Sequence, residues 1–199
     1  MTNVDFTLTR TTAPASALIS TADAKAHCRV DHDDDDTFID GLVSAAQRVL
    51  DGPQGMVGKA LVTQSWTLTR ERLMGRDRLQ IPVMPFGSVT TLRYYDADNV
   101  EQTANVANDY TVFGNEDYGY IEPVTAWPAM YDRPDALELV FVAGYGGLSA
   151  VPANIIHAAK MMVGHWYENR EAVVDYSVNN VPIAVHDLVN IDRIGWVKG

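Results

Sequence analysis

One cysteine, Cys28, stands among 199 residues, so an intrachain disulfide is excluded and a single chain cannot build a thiolate metal cluster. Basic residues are scarce: 15 Lys and Arg face 26 Asp and Glu, for a formal net charge of -11. Affinity for nucleic-acid phosphates comes from cations that displace counterions, so a chain this acidic is ill suited to gripping DNA. It does suit a surface past which DNA slides without sticking. No stretch approaches the roughly 20 apolar residues that span a bilayer, which argues against a membrane partner. The opening MTNVDFTLTR has neither a basic start nor an apolar run, so no secretory signal is expected and a cytoplasmic, soluble product is. What is present is ordinary globular material: 47% hydrophobic and 21% charged residues, enough for one core or for a core carrying an insertion.

Period changes divide the chain. Residues 1–19, rich in Thr, Ala and Ser, show no clear period and read as an N-terminal arm. A short helix is expected over Thr21–Arg29, capped by Ser20 or Thr21. After the acidic run Asp31–Asp36, Phe38, Ile39, Leu42, Val43, Ala46, Val49 and Leu50 recur at helical spacing, and Asp51-Gly52-Pro53 stops the helix. From residue 61 the pattern turns to short β segments: Val62–Leu73, Leu79–Val83, Val89–Tyr95, Tyr110–Phe113, Gly119–Glu122 and Leu137–Ala143. The turn signals between them are Pro85–Phe86–Gly87, Asp96–Asn99, Gly114–Asn115 and Arg133–Pro134–Asp135. Helix returns behind Pro152, with Ile155, Ile156, Ala159, Met162, Val163, Trp166 and Tyr167 at three- and four-residue steps around an internal Gly164. A tail with a short helix near Ile183–Asn190 closes the chain. The fold class expected is therefore α+β. A helical core (20–60 and 144–180, with two N-terminal helices and one long later helix) carries an inserted small antiparallel β domain (61–143) and an extended C-terminal tail (181–199).

Chemical motifs are sparse. The Asp31–Asp36 run places oxygens at alternate positions as an EF-hand loop does, but Asp36 stands where Gly belongs and Leu42 where Glu belongs. Negative charge capping a helix start explains it better. Gly144–Tyr145–Gly146–Gly147 lacks the Lys of a P-loop and the full dinucleotide fingerprint, so it reads as a turn. His157 and His165 are two helical turns apart, not the one turn that a zinc-binding H-E-x-x-H uses. His27 and Cys28, adjacent on a helical turn, point in different directions. No Ser sits in a G-x-S-x-G elbow. No catalytic, cofactor-binding or metal-binding residue is assigned. Arg70, Arg72, Arg76 and Arg78 form the one basic cluster. On a strand Arg70 and Arg72 share a face, which would meet phosphates or an acidic neighbouring subunit, or else simply pair with Glu71 and Asp77.

Several segments, in order, resemble one family. Thr21–Asp31 is similar to an opening "eAKxHLRVD" helix, and Ile39–Ala46 to the helix after it. Ala60–Trp66 and Ile81–Pro85 are similar to an "LxxQTW" strand and an "LPxxP" turn. Ala143–Gly146, Val151–Pro152 and His165–Glu171 resemble "AGYG", "VP" and "HxYENRE". Val181–Pro182 and Leu188–Arg193 resemble the family's "P" and "LLxxYR" ending, with Leu188–Val189 and Asp192–Arg193 replacing its Leu-Leu and Tyr-Arg pairs. This ordered set, running from about residue 20 to 193, resembles the head–tail connector (adaptor) proteins of long-tailed phages and phage-like gene-transfer particles.

The resemblance implies a structural virion protein and not an enzyme, needing no cofactor. It implies a dodecameric ring of the chain beneath the portal protein, at the head–tail junction of a particle assembled in a bacterial cytoplasm. The other end would receive the next head-completion or tail protein, a stopper or tail terminator, while double-stranded DNA passes unread through the lumen. The candidate portal-docking tail comprises Leu188, Ile191, Arg193, Ile194 and Trp196, the alternative being a tail folded back on its own core. The candidate inter-subunit contact comprises Arg70, Arg72, Arg76 and Arg78. The alternatives are another head-completion or stopper protein, a free-standing binding module, or a hydrolase whose residues converge only in the fold.

Overall fold

A computed structural model describes residues 6–170 and 182–193. The element order is β1 (Phe6–Thr12), α1 (Thr21–Cys28), α2 (Asp36–Leu50), β2 (Gln64–Arg70), β3 (Leu79–Gln80), β4 (Phe86–Tyr95), β5 (Glu101–Thr103), α3 (Val106–Asp109), β6 (Tyr110–Gly114), β7 (Gly119–Pro123), β8 (Leu137–Ala143), α4 (Ala153–Glu168) and α5 (Ile183–Asn190). This is an α+β fold with antiparallel sheets. Two compact units divide it: one takes the chain to Ala15 together with Thr63–Tyr145, the other Ser16–Val62 together with the chain from Gly146. No helix among the described residues is long and apolar enough to cross a membrane.

In the helical unit α4 is the common partner, packing against α1, α2 and α5. Its buried face is Ile155, Ala158, Ala159, Met162 and Val163, while Trp166 and Tyr167 are only half-buried. The α2 stripe narrows in the same way to Ile39, Val43, Ala46 and Leu50, leaving Phe38 38% exposed. Gly164 has a packing reason: a Cβ there would lie 3.1 Å from the His27 ring. Ser20 caps α1, its hydroxyl accepting the Asp23 N–H at 3.0 Å. The connection after α2 is itself core. Val57, Ala60 and Leu61 are fully buried, Leu61 N–H donates to the Asp51 carboxylate at 2.8 Å, and Gly55 passes so close that a Cβ would stand 2.5 Å from the Leu50 carbonyl oxygen.

The β unit contains a five-stranded sheet in the order β1-β2-β8-β4-β5 and a three-stranded sheet in the order β3-β7-β6. Strand β8 lies between β2 and β4, antiparallel to both. Its alternate residues Leu137, Leu139, Phe141 and Ala143 are buried, the period-2 pattern of a strand with one face on a core. Trp66 and Leu68 of β2 and Leu92 of β4 complete that layer, while Leu79, Ile121 and Tyr110 line the smaller sheet. Tyr110 stacks on Trp127 at 4.7 Å, and burial pushes its phenol up to about 12. The Asp96–Asn99 turn joins β4 to β5: the Asp96 carboxylate accepts the N–H groups of Asp98 and Val100 and the amide of Gln102, and Asn99 takes a positive φ of 62°.

Three segments differ from the sequence expectation. Phe6–Thr12, expected within an arm, is a strand antiparallel to β2, from Phe6 opposite Arg70 to Arg10 opposite Trp66. Its residues are exposed on both faces, save half-buried Leu8, so no apolar alternation marked it. Phe86–Gly87, expected as a turn, begins β4. A bulge there admits Gly87, where a Cβ would stand 3.0 Å from the Val142 carbonyl oxygen. Polar β5 gave no hydrophobic signal and pairs through Arg93–Tyr95 alone.

Candidate assembly surfaces

The four arginines differ in their surroundings. Strand β2 ends at Arg70, so Arg72 falls beyond it and the two share no strand face. Arg70 is half-buried, with its Nε making no hydrogen bond. The Arg72 guanidinium lies 3.8 Å from the Asp132 carboxylate. Arg78 is ion-paired with Glu122 and stacks over the Tyr120 ring at 4.7 Å, and the Glu122 hydrogen bond holds its pKa above the ordinary arginine value. Arg76 has no ion-pair partner among the described residues. The expected partners Glu71 and Asp77 are thus replaced by Asp132 and Glu122. Asp77 instead accepts the Met74 N–H at 3.4 Å, and its carbonyl accepts the Trp127 indole N–H at 2.7 Å.

Around Arg78 lies a surface that motif reading missed. Phe113 and Tyr120 are cross-strand partners on β6 and β7 and stack at 4.9 Å, with Tyr118 at 6.0 Å from Tyr120. Phe113 and Tyr118 are exposed. The alternate spacing of Tyr118, Tyr120 and Glu122 was the available signal. Two shallow depressions accompany it in the β unit, one of about 240 Å³ beside Phe6, Thr69 and Pro134, the other of about 380 Å³ beside Met74, Trp127 and Met130.

The tail residues divide. Helix α5 lies on α4 through Val185 and Val189, both fully buried. Asn154, in the first turn of α4, donates its amide to the Leu188 carbonyl at 2.8 Å and to the Asp192 carboxylate at 2.6 Å. Leu188 is half-buried, whereas Arg193 is exposed and Ile191 is 72% exposed. Ile183, which sequence reasoning did not single out, is 69% exposed. Ile194 and Trp196 lie outside the described residues.

The acidic run works differently from a simple cap. Asp35 at the N-cap position makes no capping hydrogen bond. Its carboxylate accepts the Tyr167 hydroxyl at 2.5 Å and Arg170 at 2.8 Å, and these bonds, Tyr167 first, hold it below the ordinary carboxylate range. The Arg170 guanidinium also stacks over Phe38 at 4.6 Å and Tyr167 at 4.7 Å. Lys25 reaches Asp33 at 2.6 Å and Asp36 at 2.7 Å, which raises its pKa. The run therefore fastens the start of α2 to α1 and to the end of α4. Among the described residues no group of three or more His, Cys, Asp or Glu could hold a metal ion. His27 meets His157 edge-on at 6.4 Å, and burial raises the Cys28 thiol.

No family model matches the chain, and no curated protein matches it. Solved structures do. A chain in the neck of an empty GTA particle computed with C6 symmetry is similar at 25% identity and a TM-score of 0.75, over 97% of this chain and 98% of that one. A chain in the virion of a native gene transfer agent (GTA) particle is similar at 22% identity and a TM-score of 0.67, over 96% and 97%. A third, in the neck of the native GTA particle computed with C12 symmetry, has 24% identity and a TM-score of 0.62, over 94% and 97%. The latter two speak to the fold alone. The likeness runs nearly end to end and takes in both units.

Proposed function

We propose that this chain is a structural neck protein of a phage-like particle, a head–tail adaptor that closes as a ring under the portal, joins it to the tail and continues the DNA channel. The observation that carries the reading is the end-to-end likeness, at 25% identity and a TM-score of 0.75, to a chain in a GTA neck. The ordered motifs support it independently. His165–Glu168 closes α4, and Tyr167 and the following Arg170 bind Asp35 of the acidic run.

In this reading the chain's end meets the portal through Leu188, Ile191 and Arg193, with Ile194 and Trp196 beyond them. Asn154 and the buried valines of α5 fix where that end begins. A subunit contact through the arginine segment falls mainly on Arg76, since Arg72 and Arg78 have acidic partners within the chain. The net charge of -11 lets DNA pass without phosphate binding. The opposite end receives a stopper or tail terminator.

Mass photometry of the full chain, alone and with its cognate portal, tests the proposal. A ring or a discrete portal-bound complex is expected. A monomer indifferent to the portal overturns it. A chain ending at Asp192, which keeps both Asn154 bonds, is expected to melt like the full chain yet lose portal binding, and retained binding would refute the tail assignment.

A further inference from the structure

We infer that the five-stranded sheet continues from one copy of the chain to the next, the free edge of β1 pairing with the exposed Ser88–Thr91 edge of β4 in a neighbouring copy. The inference rests on the ring reading above and names the contact that would close the ring.

Among the described residues, two edges of the same sheet are open. Strand β1 is terminal and, among those residues, pairs on one side only, with β2. On the other side of the sheet, β5 covers β4 only at Arg93–Tyr95, and Ala104 adds one bond to the Leu92 carbonyl. The Phe86 N–H is taken by the Asn115 carbonyl. Between them, among the described residues, no main-chain bond reaches Ser88–Thr91 from outside, and Ser88 and Thr90 are exposed. An unpaired edge presents a row of N–H and C=O groups, which proteins usually guard with Lys, Pro or an inward-pointing charge. Phe6–Thr9 and Ser88–Thr91 carry no Lys, Pro or charge, although Arg10 follows in β1 and bulges flank Ser88–Val89 in β4. Both are rich in Thr and apolar residues that favour strands.

The two edges also fit each other. Each neighbouring pair along β1-β2-β8-β4 is antiparallel, so β1 and β4 run in opposite directions. A copy turned about an axis along the strands therefore offers β4 to β1 antiparallel, in the pattern already used throughout the sheet. A contact between two different patches of one chain is the head-to-tail kind that generates closed rings. Lengths are comparable, five residues in β1 (Phe6–Arg10) against four in β4, the latter interrupted by a bulge between Val89 and Thr91. Charge agrees as well. Copies that each carry -11 repel, and these two edges are segments where they meet without juxtaposed carboxylates.

The test uses the full chain with Cys28→Ser, so that no native thiol competes. Thr9→Cys is combined in turn with Ser88→Cys, Val89→Cys, Thr90→Cys or Thr91→Cys, and each is assembled on the portal and mildly oxidised. Cross-strand Cβ atoms lie about 4.5–5.5 Å apart, near disulfide reach, so one register should link. The expected result is loss of the monomer band to a ladder of covalent multimers in at least one combination, absent from Thr9→Cys alone. A ring seen by mass photometry with no ladder in any combination overturns the edge pairing and leaves the adaptor reading standing. No ring even from the unmodified chain overturns both.

Discussion

Val189 is 1% exposed on α5, and only it and Val185 among that helix's residues are buried. Replacing Val189 with Ala removes two buried methyl groups, about 1.6 kcal/mol at roughly 0.8 kcal/mol per buried carbon. A residual cavity can only add to that. Val185 and the two Asn154 bonds remain in the variant, so α5 still docks on α4, but less tightly. If α5 lifts from α4 as a local unit, its opened population should rise about 15-fold, since 1.4 kcal/mol is a factor of ten. Hydrogen exchange resolved to peptides measures this directly. The α5 amides should exchange about 15-fold faster while those of α4 near Met162 keep their rate. Equal acceleration in both helices would mean that α5 opens only with the whole unit. An unchanged α5 rate would mean that Val189 contributes nothing to docking.

Two further outcomes follow from particular contacts. Gly55→Ala forces a Cβ against the Leu50 and Asp51 carbonyl oxygens, at 2.5 and 2.6 Å, so backbone must move; a loss of about 1–3 kcal/mol is expected in urea titration, and an unchanged midpoint would refute the close approach. Asp35→Asn tests the clasp through pH. Asp35 has a folded pKa below its ordinary value of 3.8, so its stabilisation is fully present above that value and is lost as pH falls through the folded pKa. The gap in Tm between the parent and Asp35→Asn should therefore be widest near neutral pH and close in acid. A gap independent of pH would show that the carboxylate charge is not what Tyr167 and Arg170 bind.

Elements whose burial is set by their own period were legible. The Leu137–Ala143 alternation and the Ile155–Val163 spacing announced β8 and α4 because each places one face on a core. The Asp96–Asn99 turn was legible because Asp and Asn side chains satisfy their own backbone. The family resemblance could be read because its motifs hold local structure: the Tyr167–Arg170 segment is tied to the acidic run by hydrogen bonds and ring stacking. The candidate surfaces were less legible. Arg72 and Arg78 looked available in sequence because their carboxylate partners, Asp132 and Glu122, are 60 and 44 positions away.

What the sequence determined by itself is the α+β class, the net acidity, and the identity of the strongest helices and strands, all properties of composition and local period. Tertiary structure decided the rest. It made a strand of Phe6–Thr12, since a segment exposed on both faces is ordered only by the main-chain bonds β2 offers it. It laid α5 on α4, leaving Ile183 and Ile191 outside, and it placed Gly164 against His27. These outcomes depend on partners distant in the chain, and no local pattern of residues encodes where a distant partner will be.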